Sequence, residues 1–303
     1  MLVLLACLNG QSWITEQLSS ILTQEGVHTR IVIRDDGSTD LTLARIAEFG
    51  SDPRVTLVSG SAPTGSAAQN FLTLIRDTPA DDCGFVAFSD QDDVWYGDKL
   101  ARACRMLGET ACAGYSSATL AIWRDGRGRT TLLRQASRTT AADFLFEGAG
   151  QGCTFVLRAQ FYAEVRDFVI RHRSLTATIH YHDWLVYALA RAWDETWAFD
   201  PQPSVYYRQH GRNDTGARSR LSGLAKRLGL IRQRWYHCQL VAVARVCTAA
   251  APANPVIASW TALLLAGSSW QRRLRVASFC LRNGRRKRKD RAALVFAALA
   301  GWL

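Results

Sequence analysis

The feature that most constrains the fold is an alternation of short apolar runs with helical segments in the first hundred residues. The apolar runs predict strands at Leu2–Cys7, Arg30–Arg34, Val55–Val58 and Gly84–Phe88. Between them, apolar residues at helical spacing predict helices at Trp13–Gln24, Asp40–Phe49 and Gly65–Arg76. Strands that alternate with helices are typical of a mostly parallel sheet with right-handed crossovers. The sequence therefore predicts an α/β fold.

The remainder of the chain is expected to add strands to this sheet and then to become helical. We predict strands near Tyr115–Trp123 and Thr154–Leu157, and a helix from Asp183 to about Trp193. The 303 residues permit one large α/β domain with an appendage, or two ordinary domains. Apolar residues make up 48% of the chain and charged residues 21%, which excludes an intrinsically disordered protein.

Basic residues are concentrated at the end of the chain. Residues 218–303 hold 17 Lys and Arg against one acid, Asp290, a net charge of +16, whereas residues 1–217 hold 20 against 25, a net of −5. The densest basic run is Arg285–Lys289. Such a segment attracts phosphates, so we predict that it attaches the protein to an anionic membrane surface. A solvated basic face is the alternative, and nucleic-acid binding is not expected because no recognised motif is present.

The cysteines and the short apolar runs indicate where in the cell the protein is expected to lie. The eight cysteines show no zinc-like spacing and several lie in apolar runs, which indicates reduced, buried thiols in the cytoplasm. No cleavage site follows Leu2–Leu8, and the apolar run Ala292–Leu303 has 12 residues, too few to cross a bilayer. We expect a cytoplasmic protein that lies peripherally on the inner face of the cell membrane.

Three polar clusters directly follow predicted strands. Asn9-Gly10 follows the first strand, Asp35–Asp40 the second, and Ser89–Asp93 the fourth. Because ligands in such sheets bind beyond the carboxyl ends of the strands, we predict that the clusters form one rim. Helix capping and turn geometry are an alternative explanation of Asp35–Asp40.

The last of these clusters carries three carboxylates, Asp90, Asp92 and Asp93, after the apolar run Phe85–Phe88. Crowded like charges cost free energy unless a cation or hydrogen-bond donors compensate. A hard divalent cation takes one or two protein carboxylates and completes its shell with phosphate oxygens and water. The cluster therefore predicts Mg²⁺ or Mn²⁺, with a solvated acidic turn as the alternative.

Three motifs, ACLNG, IRDDGSTD and FSDQDDVW, follow the first, second and fourth predicted strands. In this order and spacing they resemble the nucleotide-sugar glycosyltransferases of family 2, which have the GT-A fold. HDW at His182–Trp184 and YRQHGRNDTG at Tyr207–Gly216 resemble the bacterial rhamnosyltransferases of that family, which build cell-surface polysaccharides. The resemblance covers about residues 1–217. It implies a nucleotide-binding half at 1–110 and an acceptor-binding half at 111–217, followed by the basic helical region 218–303.

By that resemblance, the donor contacts fall on the rim. The expected nucleoside contacts are Asn9, Asp35, Asp36 and Asp90. One of the two adjacent carboxylates would read the pyrimidine base, and Asp90 would face the ribose. Asp92 would bind the metal, and His210 would be a further metal or diphosphate contact. Members of the family often have Thr-Tyr before the Asn of the first motif, where this chain has Cys7-Leu8.

The resemblance also assigns roles on the acceptor side. Asp183 would be the general base that deprotonates the acceptor hydroxyl, and a helix N-cap is its alternative role. The expected acceptor or diphosphate contacts are Gly150, Gln151, Gly152, Trp184 and Arg208.

Together these residues predict a metal-dependent, inverting glycosyltransferase that passes rhamnose from dTDP-rhamnose to a lipid-linked glycan. Inversion needs a cation that stabilises the departing diphosphate and a carboxylate that takes the acceptor proton on the opposite face. Two alternatives stay open: a transferase with a UDP-hexose donor, and a non-catalytic protein that binds a nucleotide sugar or nucleic acid.

Overall fold

The structure, a computed structural model, describes residues 1–58, 62–123, 128–135, 138–210 and 234–303. Its strands are β1 (Leu2–Cys7), β2 (Arg30–Asp35), β3 (Val55–Val58), β4 (Phe85–Asp90), β5 (Val94–Trp95), β6 (Gly114–Trp123), β7 (Thr130–Leu133), β8 (Val156–Arg158) and β9 (Trp197–Gln209). They form one sheet in the order β3-β2-β1-β4-β8-β6-β9-β5, and β7 pairs with β6.

Eleven helices in the described ranges flank this sheet. They are α1 (Ile14–Leu22), α2 (Thr42–Ala47), α3 (Ala67–Asp77), α4 (Lys99–Gly108), α5 (Ala159–Arg171), α6 (Arg173–Thr176), α7 (His182–Ala192), α8 (Trp235–Ala250), α9 (Pro255–Leu265), α10 (Trp270–Asn283) and α11 (Arg288–Leu299). Two short 3₁₀ turns lie at Asp143–Leu145 and Gly152–Thr154.

The first four predicted strands are confirmed as a parallel set. β1 lies between β2 and β4, and β3 pairs with the other edge of β2. Ala6 near the end of β1 pairs with Arg34 of β2 and with Asp90 of β4. The ends of these three strands therefore lie side by side, and the polar clusters that follow them meet at one edge of the sheet.

The second half of the sheet is mixed. β8 runs antiparallel to both β4 and β6, whereas β6 and β9 are parallel. The strand predicted at Thr154–Leu157 begins two residues later, because Gly152–Thr154 form a 3₁₀ turn. The predicted helix at Asp183 begins one residue earlier, at His182. Residues 124–127, which follow the predicted strand Tyr115–Trp123, lie outside the described residues.

Side chains of β1 alternate between two cores, one on each face of the sheet. Val3 and Leu5 pack with Leu18 of α1 and Leu100 of α4. Leu2, Leu4 and Ala6 belong to the other core, which includes apolar residues of α3, α5 and α7. Since both faces are covered, β1 is apolar throughout, which explains why it was recognisable as an unbroken apolar run.

The C-terminal helices pack on the core that contains α7. Leu240 of α8, Trp260 of α9 and Leu294 of α11 all belong to it. Trp260 is fully buried and stacks on Phe279 of α10, with ring centroids 4.9 Å apart. The predicted helical character is confirmed from Trp235 onward, and residues 218–233 lie outside the described residues. Among the described helices, none combines the length and the apolar character that a bilayer span requires.

Candidate active site

Asp36 lies under the rim in a buried ion-pair network. Its carboxylate is 2.7 Å from the Arg34 guanidinium and accepts the backbone N–H groups of Thr64 (2.7 Å) and Gly65 (3.0 Å). Burial by itself would raise the pKa of Asp36, but the hydrogen bonds from Thr64 and Arg34 hold it below its ordinary value. Asp36 therefore stays ionised and ties the end of β2 to the segment before α3.

Asn9 and Asp35 lie above this network, where the loops after β1 and β2 meet. Asn9 has a left-handed backbone (φ 51°), which Asn tolerates, and its Oδ1 accepts the N–H of Thr39 at 2.9 Å. Its own N–H donates to Ser38 Oγ at 2.7 Å. The Asp35 carboxylate accepts the Ser38 N–H, also at 2.7 Å. Asp35 is half-buried whereas Asp36 is 4% exposed, so Asp35 is the member of this predicted pair that reaches the rim.

Gln91 joins the loop after β4 to the loop after β1. Its Oε1 accepts the Leu8 N–H and its Nε2 donates to the Leu8 carbonyl oxygen, each at 2.7 Å. The side chain passes so close to Gly10 that a Cβ there would lie 2.7 Å from Gln91 Cδ. A side chain at position 10 would therefore displace Gln91 from Leu8, and the paired hydrogen bonds that join the two loops would be lost.

Asp93 does not join the rim. Its side chain is fully buried, and its Oδ1 accepts the backbone N–H of Arg208 at 3.3 Å. Burial, reinforced by the charges of Asp92 and Asp90, raises the pKa of Asp93 well above its ordinary value. Asp93, Asp90 and Cys153 have possible ligand atoms within 4.8 Å of one another, so this trio is a second candidate position for a metal, and burial raises the pKa of the Cys153 thiol. A metal bound there would have to displace the protons that burial favours on the Asp93 carboxyl and on the thiol.

Asp92 and His210 provide the pair of ligand atoms that fits a divalent cation. Asp92 Oδ2 and His210 Nε2 are 2.7 Å apart. A cation bound here would replace this hydrogen bond, and the carboxylate oxygen and the imidazole nitrogen would be its protein ligands. The His210 ring stacks on Trp13 at 5.4 Å between centroids. The Arg208 guanidinium lies 5.1 Å from the Trp13 ring and pairs with Glu16, so Arg208 supports this stack from within the fold. Residues 211–216 of the predicted motif lie outside the described residues.

Asp183 is the second residue of α7. The N-cap position belongs to Tyr181, so the alternative role of Asp183 as the N-cap is wrong by two positions. Asp183 Oδ1 accepts the N–H of its neighbour Trp184 at 2.6 Å. The carboxylate lines a cleft of about 580 Å³, together with Trp184, Gly150 and Gln151.

His182 fixes the position from which Asp183 projects. Its ring stacks on Phe71 with centroids 3.8 Å apart and meets the edge of Phe88 at 5.5 Å. Burial lowers the pKa of His182 to about 3, so the ring is neutral and packs as an apolar wedge. Phe88 lies two residues before Asp90 in β4, so α7 begins beside the strand that carries the acidic cluster.

The segment Gly150–Gly152 approaches α7 without room for side chains at its two glycines. A Cβ at Gly152 would lie 2.7 Å from His182 Nε2, and Gly150 has φ 138°. Gln135 Nε2 donates to Gln151 Oε1 at 3.0 Å. The predicted acceptor segment is therefore brought into contact with the helix that carries Asp183. Trp184 is largely buried, and its Nε1 donates to the Phe144 carbonyl oxygen at 2.7 Å.

The opposite wall of the cleft comes from the C-terminal helices, which the sequence analysis did not predict. Its residues are Trp235, Tyr236 and His237 at the start of α8, Arg285, Arg286 and Lys287 before α11, Asp290, Ala293, Leu294 and Ala297 of α11, and Trp302 and Leu303. Aromatic rings beside a few polar groups are the usual lining of ligand sites. In the sequence, the adjacent aromatic residues Trp235 and Tyr236 are the feature that could have indicated this wall.

Two residues of the basic run Arg285–Lys289 form ion pairs with carboxylates of the protein. Arg286 is 8% exposed and lies 3.0 Å from Asp143 and 3.5 Å from Glu147. Arg285 pairs with Glu147 at 3.3 Å. The prediction that this whole run contacts a membrane is therefore wrong for the buried Arg286, whereas Arg285 is partly exposed. The following residues, 287–289, are exposed.

Comparison with known proteins agrees with this architecture. The sequence model described as glycosyl transferase family 2 matches residues 2–166. The dTDP-rhamnosyl transferase RfbG of Shigella flexneri is 38% identical over 244 residues, which covers 79% of this chain and 83% of that protein. The UDP-Glc:alpha-D-GlcNAc-diphosphoundecaprenol beta-1,3-glucosyltransferase WfgD of Escherichia coli is 29% identical over 105 residues, which covers 35% of this chain and 40% of that protein.

Two solved structures have a similar fold. The crystal structure of S. aureus TarS 1–349 matches with a TM-score of 0.57 and 14% identity, covering 99% of this chain and 86% of that chain. The mannosyltransferase PcManGT from Pyrobaculum calidifontis, solved with GDP-Man and Mn²⁺, matches with a TM-score of 0.51 and 17% identity, covering 99% and 85% of the two chains. At these identities the likeness concerns the fold alone.

Proposed function

This chain belongs to glycosyl transferase family 2, and we propose that it transfers rhamnose from dTDP-rhamnose to a lipid-linked glycan, with inversion and with a divalent cation. The choice of donor rests on the 38% identity to a dTDP-rhamnosyl transferase over most of the chain. The chemistry rests on one arrangement. The Asp92–His210 pair can hold a cation at the edge of the sheet, while a separate carboxylate, Asp183, lies in a cleft.

On the donor side, Asn9 and Asp35 would contact the nucleoside, and Asp90 would face the ribose. Asp92 and His210 would hold Mg²⁺ or Mn²⁺, which when bound neutralises charge on the diphosphate leaving group. The chain itself orients these groups. Trp13 fixes the plane of the His210 ring by stacking, and Gln91 locks the loop after β4 to the loop after β1.

On the acceptor side, Asp183 would accept the proton of the attacking hydroxyl. As that oxygen bonds to the anomeric carbon, the bond from this carbon to the diphosphate breaks on the opposite face, which inverts the configuration. The neutral His182 wedge and the close approach of Gly152 keep the carboxylate in place. A cleft of about 580 Å³ is large enough for a sugar and falls within the usual range of ligand sites.

We place the membrane contact on α10 rather than on the whole basic run. Trp270, Leu274 and Leu281 are spaced four and seven residues apart, so they share one side of the helix, and they are 61%, 46% and 61% exposed. Arg275 and Arg282 follow the two leucines and are also exposed. Apolar side chains flanked by arginines are typical of helices that lie in an anionic membrane interface. This apolar face of α10 would hold the enzyme on the cytoplasmic side of the membrane, near a lipid-linked acceptor. In this proposal residues 1–217 carry the groups that act in the transfer, and residues 218–303 carry membrane attachment and one wall of the cleft.

A donor screen tests the reaction. Nucleotide release is measured for dTDP-rhamnose and for UDP-hexoses, with and without a synthetic lipid-linked acceptor. We expect acceptor-dependent release of dTDP. Acceptor-dependent release of UDP alone would instead support a UDP-hexose donor, as in the name of the WfgD relative, and no release with any donor would support a binding protein.

Asp183→Asn tests the base. We expect kcat to fall by about 10²–10⁴-fold, because Asn cannot accept the proton of the acceptor hydroxyl, while dTDP affinity stays near that of the wild type. Asp167→Asn is the matched control, since Asp167 is exposed on α5. Near-normal turnover by the Asp183 variant would remove this residue from the mechanism.

Substitution of the apolar face of α10 tests the membrane proposal. Trp270, Leu274 and Leu281 are replaced together by Ser, and binding to phosphatidylglycerol vesicles is measured by co-sedimentation. Leu132→Ser with Ile170→Ser is the control, because both residues are exposed apolar side chains on other elements. Equal recovery of the triple variant and the wild type on vesicles would show that α10 is not the attachment surface.

A further inference from the structure

A second cavity, of about 370 Å³, lies where the segment Arg138–Ala141 meets the junction of α10 and α11. Five arginines line it: Arg138, Arg282, Arg286, Arg288 and Arg291. Thr140 lies beside them, and none of the described residues that line the cavity is acidic. Neither the family motifs nor the proposed transfer reaction uses this arginine cavity.

Among the described residues, ion pairs balance the charge of only one of the five arginines of the cavity. Arg286 pairs with Asp143 at 3.0 Å and with Glu147 at 3.5 Å, and Asp143 is itself buried and also pairs with Arg191. Arg291 donates to the backbone carbonyl oxygen of Arg285 at 3.1 Å, a contact that neutralises no charge. Arg138, Arg282 and Arg288 form no ion pair with a described carboxylate. Like charges around one cavity repel, so an anion bound there would lower the energy of the folded state.

One further observation points to an anion. Helix α11 begins at Arg288, at the wall of the cavity, and its N-cap residue Lys287 provides no side-chain cap. The first turn of a helix favours negative charge, because its backbone N–H groups have no partners within the helix.

We infer that the arginine cavity binds phosphate groups carried by a lipid. Guanidinium groups match phosphate oxygens with paired hydrogen bonds, and several around one cavity suit a diphosphate or a phosphodiester. Two lipids share this chemistry. An anionic phospholipid would come from the membrane beside α10, whose exposed Leu281 directly precedes Arg282. A lipid-linked diphosphate acceptor would come from the catalytic cleft, which shares Arg286 with this cavity. The acceptor source rests on the proposed function, whereas phosphate binding itself does not.

The test replaces Arg138, Arg282 and Arg288 together by Gln. All three side chains are exposed and without ion pairs among described residues, so the fold should tolerate the change. The control variant carries Arg105→Gln, Arg171→Gln and Arg173→Gln, which removes the same charge from exposed arginines on α4, α5 and α6. Binding of inorganic pyrophosphate is measured by calorimetry in EDTA, without donor or acceptor. We expect affinity to fall about 10–100-fold in the first variant and to stay within about twofold in the control.

The source of the phosphate follows from two further measurements. Loss of binding to phosphatidylglycerol vesicles when only Arg138 and Arg288 are replaced by Gln, which leaves Arg282 of α10 in place, would assign the cavity to a phospholipid headgroup. A raised KM for a lipid-linked diphosphate acceptor, with vesicle binding unchanged, would assign it to the acceptor. Unchanged pyrophosphate affinity in the first variant, or an equal loss in both variants, would overturn the site. Because pyrophosphate binding needs no turnover, a failed donor screen would leave this result standing.

Discussion

Replacing Asp143 by Asn tests whether buried charge holds the C-terminal helices on the catalytic core. The Asp143 carboxylate is fully buried and lies 3.0 Å from the guanidinium groups of Arg286 and Arg191. It also accepts the hydroxyl of Tyr187 at 2.8 Å. Arg286 comes from the connection between α10 and α11, whereas Arg191 and Tyr187 come from α7. One carboxylate therefore joins the C-terminal helices to the helix that carries Asp183.

The expected loss in the free energy of unfolding follows from the charge of Arg286, which stays buried when the Asp143 charge is removed. Asn keeps the shape of the side chain but leaves the Arg286 side chain, 2% exposed, with Glu147 at 3.5 Å as its nearest remaining described counter-charge. Breaking a buried ion pair from one side costs about 3–5 kcal/mol, because it leaves a buried charge uncompensated. Arg191 is more exposed, so its lost contact adds at most about 1 kcal/mol. The sum is a large fraction of the 5–15 kcal/mol that is typical of a folded protein.

Urea denaturation followed by circular dichroism measures this loss, with Asp167→Asn as the surface control. The double variant Asp143→Asn with Arg286→Gln removes both charges, and we expect it to lose about 1–3 kcal/mol less than the two single changes added together. A loss below about 1 kcal/mol for Asp143→Asn, as for an ordinary surface substitution, would refute the reasoning.

Three further predictions concern the site. Asp92→Asn should lower transfer at least about a hundredfold with the fold intact, and EDTA should silence the wild type until Mn²⁺ or Mg²⁺ is restored; full nucleotide release in EDTA would exclude the metal role. Gly152→Ala should lower the free energy of unfolding in urea by about 1–3 kcal/mol and should lower kcat, because its Cβ would press on His182. Gly108→Ala is the control, and it should change neither quantity because its Cβ would meet open space. Burial holds the pKa of His182 at about 3 in the folded protein, against 6.5 in the unfolded chain. Between pH 6.5 and pH 3 the unfolded chain therefore binds one more proton than the folded protein, so the free energy of unfolding falls as pH falls. Between pH 7 and pH 5 this should cost about 2 kcal/mol, and an unchanged pH slope of unfolding in His182→Gln would contradict it.

The local pattern of apolar residues in the sequence was sufficient to predict the strands of the sheet whose edge forms the rim. Strands of a parallel sheet are covered on both faces, so β1, β2 and β4 appear as short apolar runs that helical segments separate. The right-handed crossover rule then brings their carboxyl ends to one edge. For this reason the positions of Asn9, Asp35 and Asp90 at a common rim followed from the order of elements alone.

Tertiary contacts decided which charged side chains face solvent. Among the adjacent carboxylates, Asp36 and Asp93 are buried, whereas Asp35, Asp90 and Asp92 stay at the rim. Asp36 is buried beside Arg34, whose guanidinium also donates to Asn70, a residue distant in the chain. Asp93 is enclosed by residues that are likewise distant in the chain, among them Arg208.

The order of apolar runs and helical segments predicts the class of fold and the edge of the sheet where the candidate site lies, and the motifs indicate the family. The structure alone showed that Arg286 of the basic run is internal and that the C-terminal helices form the second wall of the cleft. Arg286 finds Asp143 across 143 residues of chain. A hydrophobic period or a turn signal reports on neighbours within a few residues, whereas the cost of burying a charge depends on partners that only the folded chain brings together.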